Sequence, residues 1–114
     1  MKDCLFCKII NKNIPATIVF EDDKVTAFRD LSPQAPVHIL IIPKRHIATL
    51  MDITEQDKDI IGYIYLVAQK LAKAEGVAQS GFRIVANCNE NAGQAVFHIH
   101  FHLLGGRRLQ WPPG

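Results

Sequence analysis

The chain has 114 residues, of which 13 are lysine or arginine and 11 are aspartate or glutamate, for a formal net charge of +2. This length fits one domain with an ordinary core, and the charge balance gives no argument for nucleic acid or an anionic membrane as a partner. The apolar run from Ile39 to Ile42 is too short to cross a bilayer, and the first residues lack the apolar stretch of a signal peptide. Three cysteines fit a reducing compartment. We expect a single cytoplasmic domain over residues 1–114.

The N-terminal part of the chain predicts a short helix followed by three strands. Asp3 can cap a helix that carries apolar residues at positions 5, 6, 9 and 10 and must end before Pro15, because a residue that precedes proline avoids the helical region. Strands are predicted at residues 17–21, 24–29 and 37–42, the first two forming a hairpin and the third, almost wholly apolar, lying centrally.

The second half of the chain predicts the one long helix and two further strands. Thr54 and Asp57 resemble a capping box, and apolar residues follow at helical spacing from Ile60 until Gly76. The last two strands are predicted at residues 82–88 and 97–104, with an Asn/Gly-rich loop between them. The pattern indicates an α+β fold with an antiparallel sheet of about five strands, one long helix and one short helix.

Histidine recurs at every second position from residue 98 to residue 102. In a strand these three rings share one face, which we expect to be open to solvent, while the apolar residues between them pack on the other. The outer Cα atoms would lie about 13 Å apart, so ligation of one ion by all three rings is unfavourable. His100 is flanked by two potential donors, an arrangement suited to nucleophilic attack on phosphorus. The alternative is a row of exposed histidines without a function.

Cys4 and Cys7 form a Cys-x-x-Cys pair. A single pair is weak evidence for a metal site, and a redox pair or two packed thiols are the alternatives.

The segment HIHFHLL resembles the histidine triad motif of the HIT family, and the rest of the chain is similar to its Hint branch. The motifs that carry this resemblance are FCKII, EDD, DLSPQAP, HILIIPKRH, GQAVFHIHFHLLGGR and WPPG. The resemblance implies a homodimer with joined sheets, a pocket for a purine nucleoside monophosphate, and hydrolysis of adenosine phosphoramidates and aminoacyl adenylates without a catalytic cofactor. A non-catalytic nucleotide-binding or scaffolding dimer, and a dinucleoside polyphosphate hydrolase or nucleotidyl transferase, stay open as alternatives.

By the same resemblance, His100 is the nucleophile that forms a nucleotidyl intermediate. His102 and Gln94 would hold phosphate or leaving-group atoms, Asn87 would contact the phosphate or sugar, and His38 would help to set the tautomer and orientation of His100.

The resemblance also implies a nucleoside pocket, in which Asp30 would accept hydrogen bonds from the ribose. Asp30 can instead start a turn, since Asp-x-Ser-Pro favours one. The apolar pocket residues, which can equally be plain core, are Phe6, Ile9, Ile14, Phe28 and Leu31, and the further substrate contacts would be Ala95, Val96 and Trp111.

Cys4, Cys7, His46 and His98 correspond to the structural zinc ligands of some bacterial members of the family. A closed Cys₂His₂ site would tie the first helix to the sheet and leave His100 free. The tail at residues 105–114 would lie at the dimer interface or the active site. Ala95 departs from the serine of many relatives, which removes one hydroxyl donor to the phosphate.

Overall fold

Five strands form one antiparallel sheet whose spatial order differs from the chain order. The structure, a computed structural model, describes residues 3–114. The strands are β1 (Ile18–Glu21), β2 (Val25–Arg29), β3 (Val37–Pro43), β4 (Phe82–Val85) and β5 (Phe101–Gly105). They lie in the order β1-β2-β3-β5-β4, with every pair antiparallel. The last strand therefore inserts beside β3 in the sheet interior.

Two α-helices flank this sheet, α1 (Leu5–Ile10) and α2 (Lys58–Ala74). Single 3₁₀ turns occur at Leu50–Asp52, Glu55–Asp57 and Glu90–Ala92. The Asp57 carboxylate accepts the Thr54 backbone N–H at 2.8 Å, so the capping box starts the turn that leads into α2. The α+β fold with one long and one short helix is confirmed. Within residues 3–114 no helix combines the length and apolar character that a membrane span requires.

Each face of the sheet builds its own apolar core. Alternation along β3 places residues 37, 39 and 41 on the α2 side, and they join the larger core there. Residues 38, 40 and 42 face the α1 side, where the smaller core consists of Phe6, Ile9, Phe28, Leu40 and Ile42. The same alternation continues through the C-terminal segment, because Ile99, Phe101 and Leu103 belong to the α2-side core. The three histidines therefore lie on the α1 side.

Several boundaries differ from the sequence predictions, and β4 ends at Val85 rather than at residue 88. Helix α1 is capped by Cys4, whose sulfur accepts the Cys7 N–H at 3.3 Å, so the predicted Asp3 cap is wrong. The final strand begins at Phe101 rather than at residue 97, because the chain before it leaves the ladder and Ile99 donates its N–H to the Ile47 carbonyl at 2.7 Å. His98 and His100 thus precede β5, although their side chains keep the predicted alternation.

Candidate active site and metal cluster

His98 and His100 are packed beneath α1 and His102 is half-buried, so the triad is not a solvent-facing row. His98 is fully buried and His100 is 8% exposed. Phe6 of α1 meets both rings edge-on, with ring centroids 6.0 Å from His98 and 5.0 Å from His100. The expectation of an open histidine face is therefore wrong, since the short helix covers it.

The proton of His100 is fixed by a backbone carbonyl. Nδ1 of His100 lies 2.8 Å from the carbonyl oxygen of His98. A carbonyl only accepts hydrogen bonds, so Nδ1 carries the proton and Nε2 keeps the free lone pair of a neutral imidazole. His100 is thereby prepared as a nucleophile through Nε2.

His38 acts on His102 rather than on His100, which corrects its predicted role. The backbone N–H of Gln34 donates to His38 Nδ1 at 3.0 Å, so His38 carries its proton on Nε2. His38 Nε2 lies 2.9 Å from His102 Nδ1 and donates to it, which leaves the proton of His102 on Nε2. We call the chain from the Gln34 N–H through His38 to His102 the histidine relay. Because the relay uses His102 Nδ1 as an acceptor, His102 can donate a hydrogen bond from Nε2.

Burial keeps both rings of the histidine relay uncharged near neutral pH. It is the largest cause that lowers the pKa of His102 to about 4, and the neighbouring His100 and His38 act in the same direction. Burial also lowers the pKa of His38 from its ordinary value, against the opposing influence of Asp30. Neutral rings are what the relay requires, because an imidazolium has no acceptor nitrogen.

A cavity of about 300 Å³ opens beside His100 and His102. Its walls are mostly apolar side chains from α1, β2 and the loops that follow them, a composition suited to an aromatic base. Among the residues proposed from the sequence, the cavity is lined by Phe6, Ile9, Ile14, Phe28, Asp30, Leu31, Ala95 and Val96. The cavity thus brings most of the predicted substrate residues together, while their contacts with a ligand stay predictions.

Three predicted substrate residues lie outside this lining. Gln94 is buried within its own loop, where its two amide protons are donated to the carbonyls of Ala48 and Val96, at 2.8 and 3.1 Å. Both donors are therefore used, so in this arrangement Gln94 shapes the loop and does not donate to a phosphate. Asn87 is half-buried just beyond β4, and Trp111 is 81% exposed.

Asp30 makes the turn that was one of its two predicted roles, while its contact with a ribose stays a prediction. One carboxylate oxygen accepts the Ser32 N–H at 2.7 Å, which makes the turn that the Asp-x-Ser-Pro pattern predicts. The other lies 3.5 Å from His38 Nε2, on the edge of the cavity. Leu31, which follows, is 95% exposed and forms the rim of the cavity.

The sulfur and nitrogen atoms of Cys4, Cys7, His46 and His98 converge on one point, and we call these four residues the metal cluster. His98 Nδ1 lies 3.4 Å from Cys4 Sγ, 3.6 Å from Cys7 Sγ and 3.2 Å from His46 Nδ1. The edges of a zinc tetrahedron with Cys and His ligands measure about 3.3–3.8 Å. The four residues therefore fit a tetrahedral ion.

The protonation of His98 agrees with a ligand role. Its Nε2 lies 2.8 Å from the Pro43 carbonyl and donates to it, so the Nδ1 lone pair points into the metal cluster. Burial lowers the pKa of His98 to about 4, which keeps the ring neutral.

Asp30, His38 and His102 also bring three possible ligand atoms together, but this group does not fit a metal. Because His38 Nδ1 accepts the Gln34 N–H, His38 Nε2 holds the proton and has no lone pair for an ion. The two histidine clusters on this face therefore have different chemistry.

Sequence reasoning missed the backbone groups that set these tautomers. They are the carbonyls of His98 and Pro43 and the N–H of Gln34. Residue type gives no signal for them, because nearly every residue offers the same groups.

A family model described as HIT domain matches residues 11–109. The chain is 51% identical to the purine nucleoside phosphoramidase of Escherichia coli K12 over 108 residues, which cover 95% of this chain and 91% of that protein. It is 50% identical to a HIT-like protein of Synechococcus elongatus over 113 residues, 99% of this chain and 98% of that one.

Solved structures agree with the sequence comparison. A HIT family hydrolase from Legionella pneumophila superposes with a TM-score of 0.97 at 56% identity, covering 98% of this chain and 100% of that chain. A histidine triad protein from Clostridium difficile superposes with a TM-score of 0.94 at 49% identity, covering 96% of each chain. With the family model matched over most of its length and relatives at half identity across nearly all of it, this chain belongs to the HIT family.

Proposed function

We propose that this protein is a purine nucleoside phosphoramidase, which hydrolyses the P–N bond of adenosine 5′-phosphoramidates and acts likewise on aminoacyl adenylates. The phosphoramidase from Escherichia coli, half identical over nearly the whole chain, supports the reaction. The observation that carries the proposal is the orientation of His100, whose Nδ1 proton is held by a carbonyl while Nε2 is free beside an apolar cavity.

In the first step, the Nε2 lone pair of His100 forms a bond to the α-phosphorus and the bond from phosphorus to the substrate amine breaks. The leaving amine takes a proton, and His102 Nε2–H is the donor that the histidine relay presents. In the second step, water attacks phosphorus and gives a proton to His102 Nε2, which restores the donor, while the bond from phosphorus to His100 breaks. The products are the nucleoside monophosphate and the free amine, so one water is consumed per turnover.

The apolar walls of the cavity would hold the base, and Asp30 on its edge would accept the ribose hydroxyls. Its volume of about 300 Å³ and its partial enclosure suit a single nucleoside. The same arrangement would put the phosphate at the histidine end of the cavity, where His100 and His102 both contribute to the lining.

Intact-protein mass spectrometry tests the covalent route. The protein is mixed with adenosine 5′-phosphoramidate and quenched within milliseconds to seconds in denaturant at alkaline pH, since P–N bonds are acid-labile. An added adenylyl mass on wild type, absent from His100→Ala, is expected. Turnover without an adduct on any time point would contradict the nucleotidyl-histidine, and nucleotide binding without turnover would indicate the non-catalytic alternative.

We propose a structural zinc ion held by Cys4, Cys7, His46 and His98. Zinc bound there would tie α1 to the segment that precedes β5, because the first two ligands belong to the helix and its cap. No step of the hydrolysis is assigned to it. Elemental analysis of protein purified without chelators is expected to give about one zinc per chain, and protein without zinc would contradict the site.

We also propose a cytoplasmic homodimer with joined sheets. Strand β4 is an edge of the sheet, and apolar side chains on it and on α2 are exposed, with Phe82 at 37%, Tyr65 at 48% and Leu66 at 61%. An apolar edge of this kind favours pairing with a second copy. Light scattering at micromolar concentration is expected to give the mass of a dimer, and deletion of residues 110–114 should change substrate preference without dissociating it. A monomer would contradict the arrangement.

A further inference from the structure

We propose that Arg107 is a positioning residue for this hydrolysis, which acts through the backbone of Gln34 to keep His102 in its donor tautomer. The inference rests on the proposed function for its kinetic consequence, but the tautomers that it predicts can be measured on the protein alone. Arg107 is the second residue after the end of β5 at Gly105 and lies outside the lining of the substrate cavity.

The Arg107 guanidinium connects two segments that are far apart in the sequence. Its Nε donates to the carbonyl oxygen of Gln34 at 2.9 Å, and its Nη1 donates to the carbonyl of Arg108 at 3.0 Å. The bond to the Arg108 carbonyl orients the Arg107 side chain along its own backbone, and the bond to the Gln34 carbonyl then connects it to Gln34. Both bonds lie at the exposed surface, and a charged donor gives a stronger hydrogen bond than a neutral one.

Glycine at position 106 supports the same connection independently. Gly106 has φ +91°, and a Cβ placed on it would come within 2.9 Å of Pro36 Cβ. Only a residue without a side chain allows the chain to pass this close to the loop between β2 and β3. This approach brings Arg107 within reach of Gln34.

The position of Gln34 helps to determine where the relay protons lie, together with the Asp30 carboxylate 3.5 Å from His38 Nε2. Its N–H is the donor that makes His38 Nδ1 an acceptor and so leaves His38 Nε2–H to donate to His102. If the loop withdraws this N–H, His38 can carry its proton on Nδ1 instead. The hydrogen bond between the two rings then reverses, and His102 presents an acceptor rather than a donor to the leaving amine. Arg107 therefore helps to keep the proton available at the substrate end of the relay.

The direct test is the tautomer of His38 and His102, read from long-range ¹H–¹⁵N correlation spectra of ¹⁵N-histidine-labelled protein at neutral pH. Wild type is expected to show both rings protonated on Nε2. Arg107→Met should give a mixture in which the Nδ1-protonated form of His38 is visible. Arg108→Met is the matched control, because it removes a neighbouring arginine and leaves the Arg107 bond to Gln34 in place.

The kinetic test uses adenosine 5′-phosphoramidate with the same three proteins and with Arg107→Lys. Arg107→Met should lower kcat by roughly three- to tenfold, since part of a general-acid contribution is lost, and should leave KM within about twofold. Arg107→Lys keeps the charge without the guanidinium fork and is expected to lie between wild type and Arg107→Met. Arg108→Met should match wild type.

An Arg107→Met protein with the wild-type His38 tautomer would overturn the inference, whether or not its rate changes. A wild-type spectrum with His38 protonated on Nδ1 would overturn it as well. If wild type fails to hydrolyse the substrate, the proposed function fails, while the tautomer comparison still decides the role of Arg107.

Discussion

The metal cluster and the histidine relay occupy the same face of one sheet, and each contains two imidazoles. They differ in the backbone group that each key histidine meets. His98 meets the Pro43 carbonyl and so presents a lone pair to the cluster, whereas His38 meets the Gln34 N–H and so presents a proton to His102. One backbone partner therefore prepares a ligand and the other prepares a donor.

His100 lies between these two regions and belongs to neither, so its removal should separate chemistry from structure. His100→Ala is expected to lower phosphoramidate hydrolysis by at least roughly a thousandfold, because no other group can form the nucleotidyl bond. Zinc content should stay at the wild-type level, and binding of adenosine monophosphate should stay within about tenfold. Hydrolysis within tenfold of wild type in the purified variant would contradict the nucleophile.

Loss of a thiolate should affect the metal cluster and spare the histidine relay. Cys7→Ser is expected to lose zinc and to lower the free energy of unfolding by about 3–4 kcal/mol when free zinc exceeds its Kd by several hundredfold. Urea unfolding and metal analysis measure the two effects. The control is Cys88→Ser, because Cys88 is a free thiol outside the metal cluster. Equal stability of the two variants in the presence of zinc would argue against a stabilising ion.

The histidine relay should make the free energy of unfolding depend on pH in the acid range. The pKa of His102 is lowered from its ordinary value of 6.5 to about 4 in the folded protein. Between pH 6.5 and pH 4, the unfolded chain therefore binds a proton at His102 that the folded chain does not bind. This contribution to stability is complete above about pH 6.5 and is lost as the pH falls toward 4. His102→Gln should therefore reduce the slope with which the free energy of unfolding falls toward acid pH, by at most about 1.4 kcal/mol per pH unit. Urea unfolding at pH 6.5, 5.5 and 4.5 compares the slopes, and identical slopes would contradict this role of His102.

Restoring a hydroxyl beside the relay should have the smallest effect. Ala95 lines the cavity with His100 and His102, and a serine there could donate to the charge that develops on the phosphate. Ala95→Ser is expected to raise kcat/KM toward adenosine phosphoramidates by roughly tenfold or less, about 1.4 kcal/mol, because water can already fill the gap. An unchanged or lower kcat/KM would mean that this position does not face the phosphate.

The features that could be predicted from the sequence depend on residue type and on the periodic spacing of apolar residues. The alternation from residue 98 to residue 103 correctly separated the histidines from the α2-side core, and the apolar run in β3 correctly indicated a central strand. The capping box likewise predicted where the long helix begins. These features are local, so a single sequence contains their signal.

The details that sequence reasoning missed depend on contacts between distant segments. The Gln94 amide is used up by carbonyls of its surroundings, and His38 pairs with His102 because β3 and β5 are neighbours. The histidine face is buried because α1 lies over it. The alternation of apolar residues in the sequence does not indicate that a short helix covers this face. Each requires the arrangement of segments in space, which residue type does not encode.

The insertion of β5 between β3 and β4 has a consequence for synthesis on the ribosome. Strand β4 emerges before β5 and pairs in the finished sheet with β5 on its inner side, so it lacks that neighbour until the last strand is released. The hydrogen bond between His38 and His102 likewise joins residues 64 positions apart. The hairpin of β1 and β2 can form early, but the sheet centre and the histidine pair must assemble late, because their contacts are non-local. A nascent chain that ends before β5 would therefore expose the apolar centre of its sheet and lack His102, the second ring of the histidine relay.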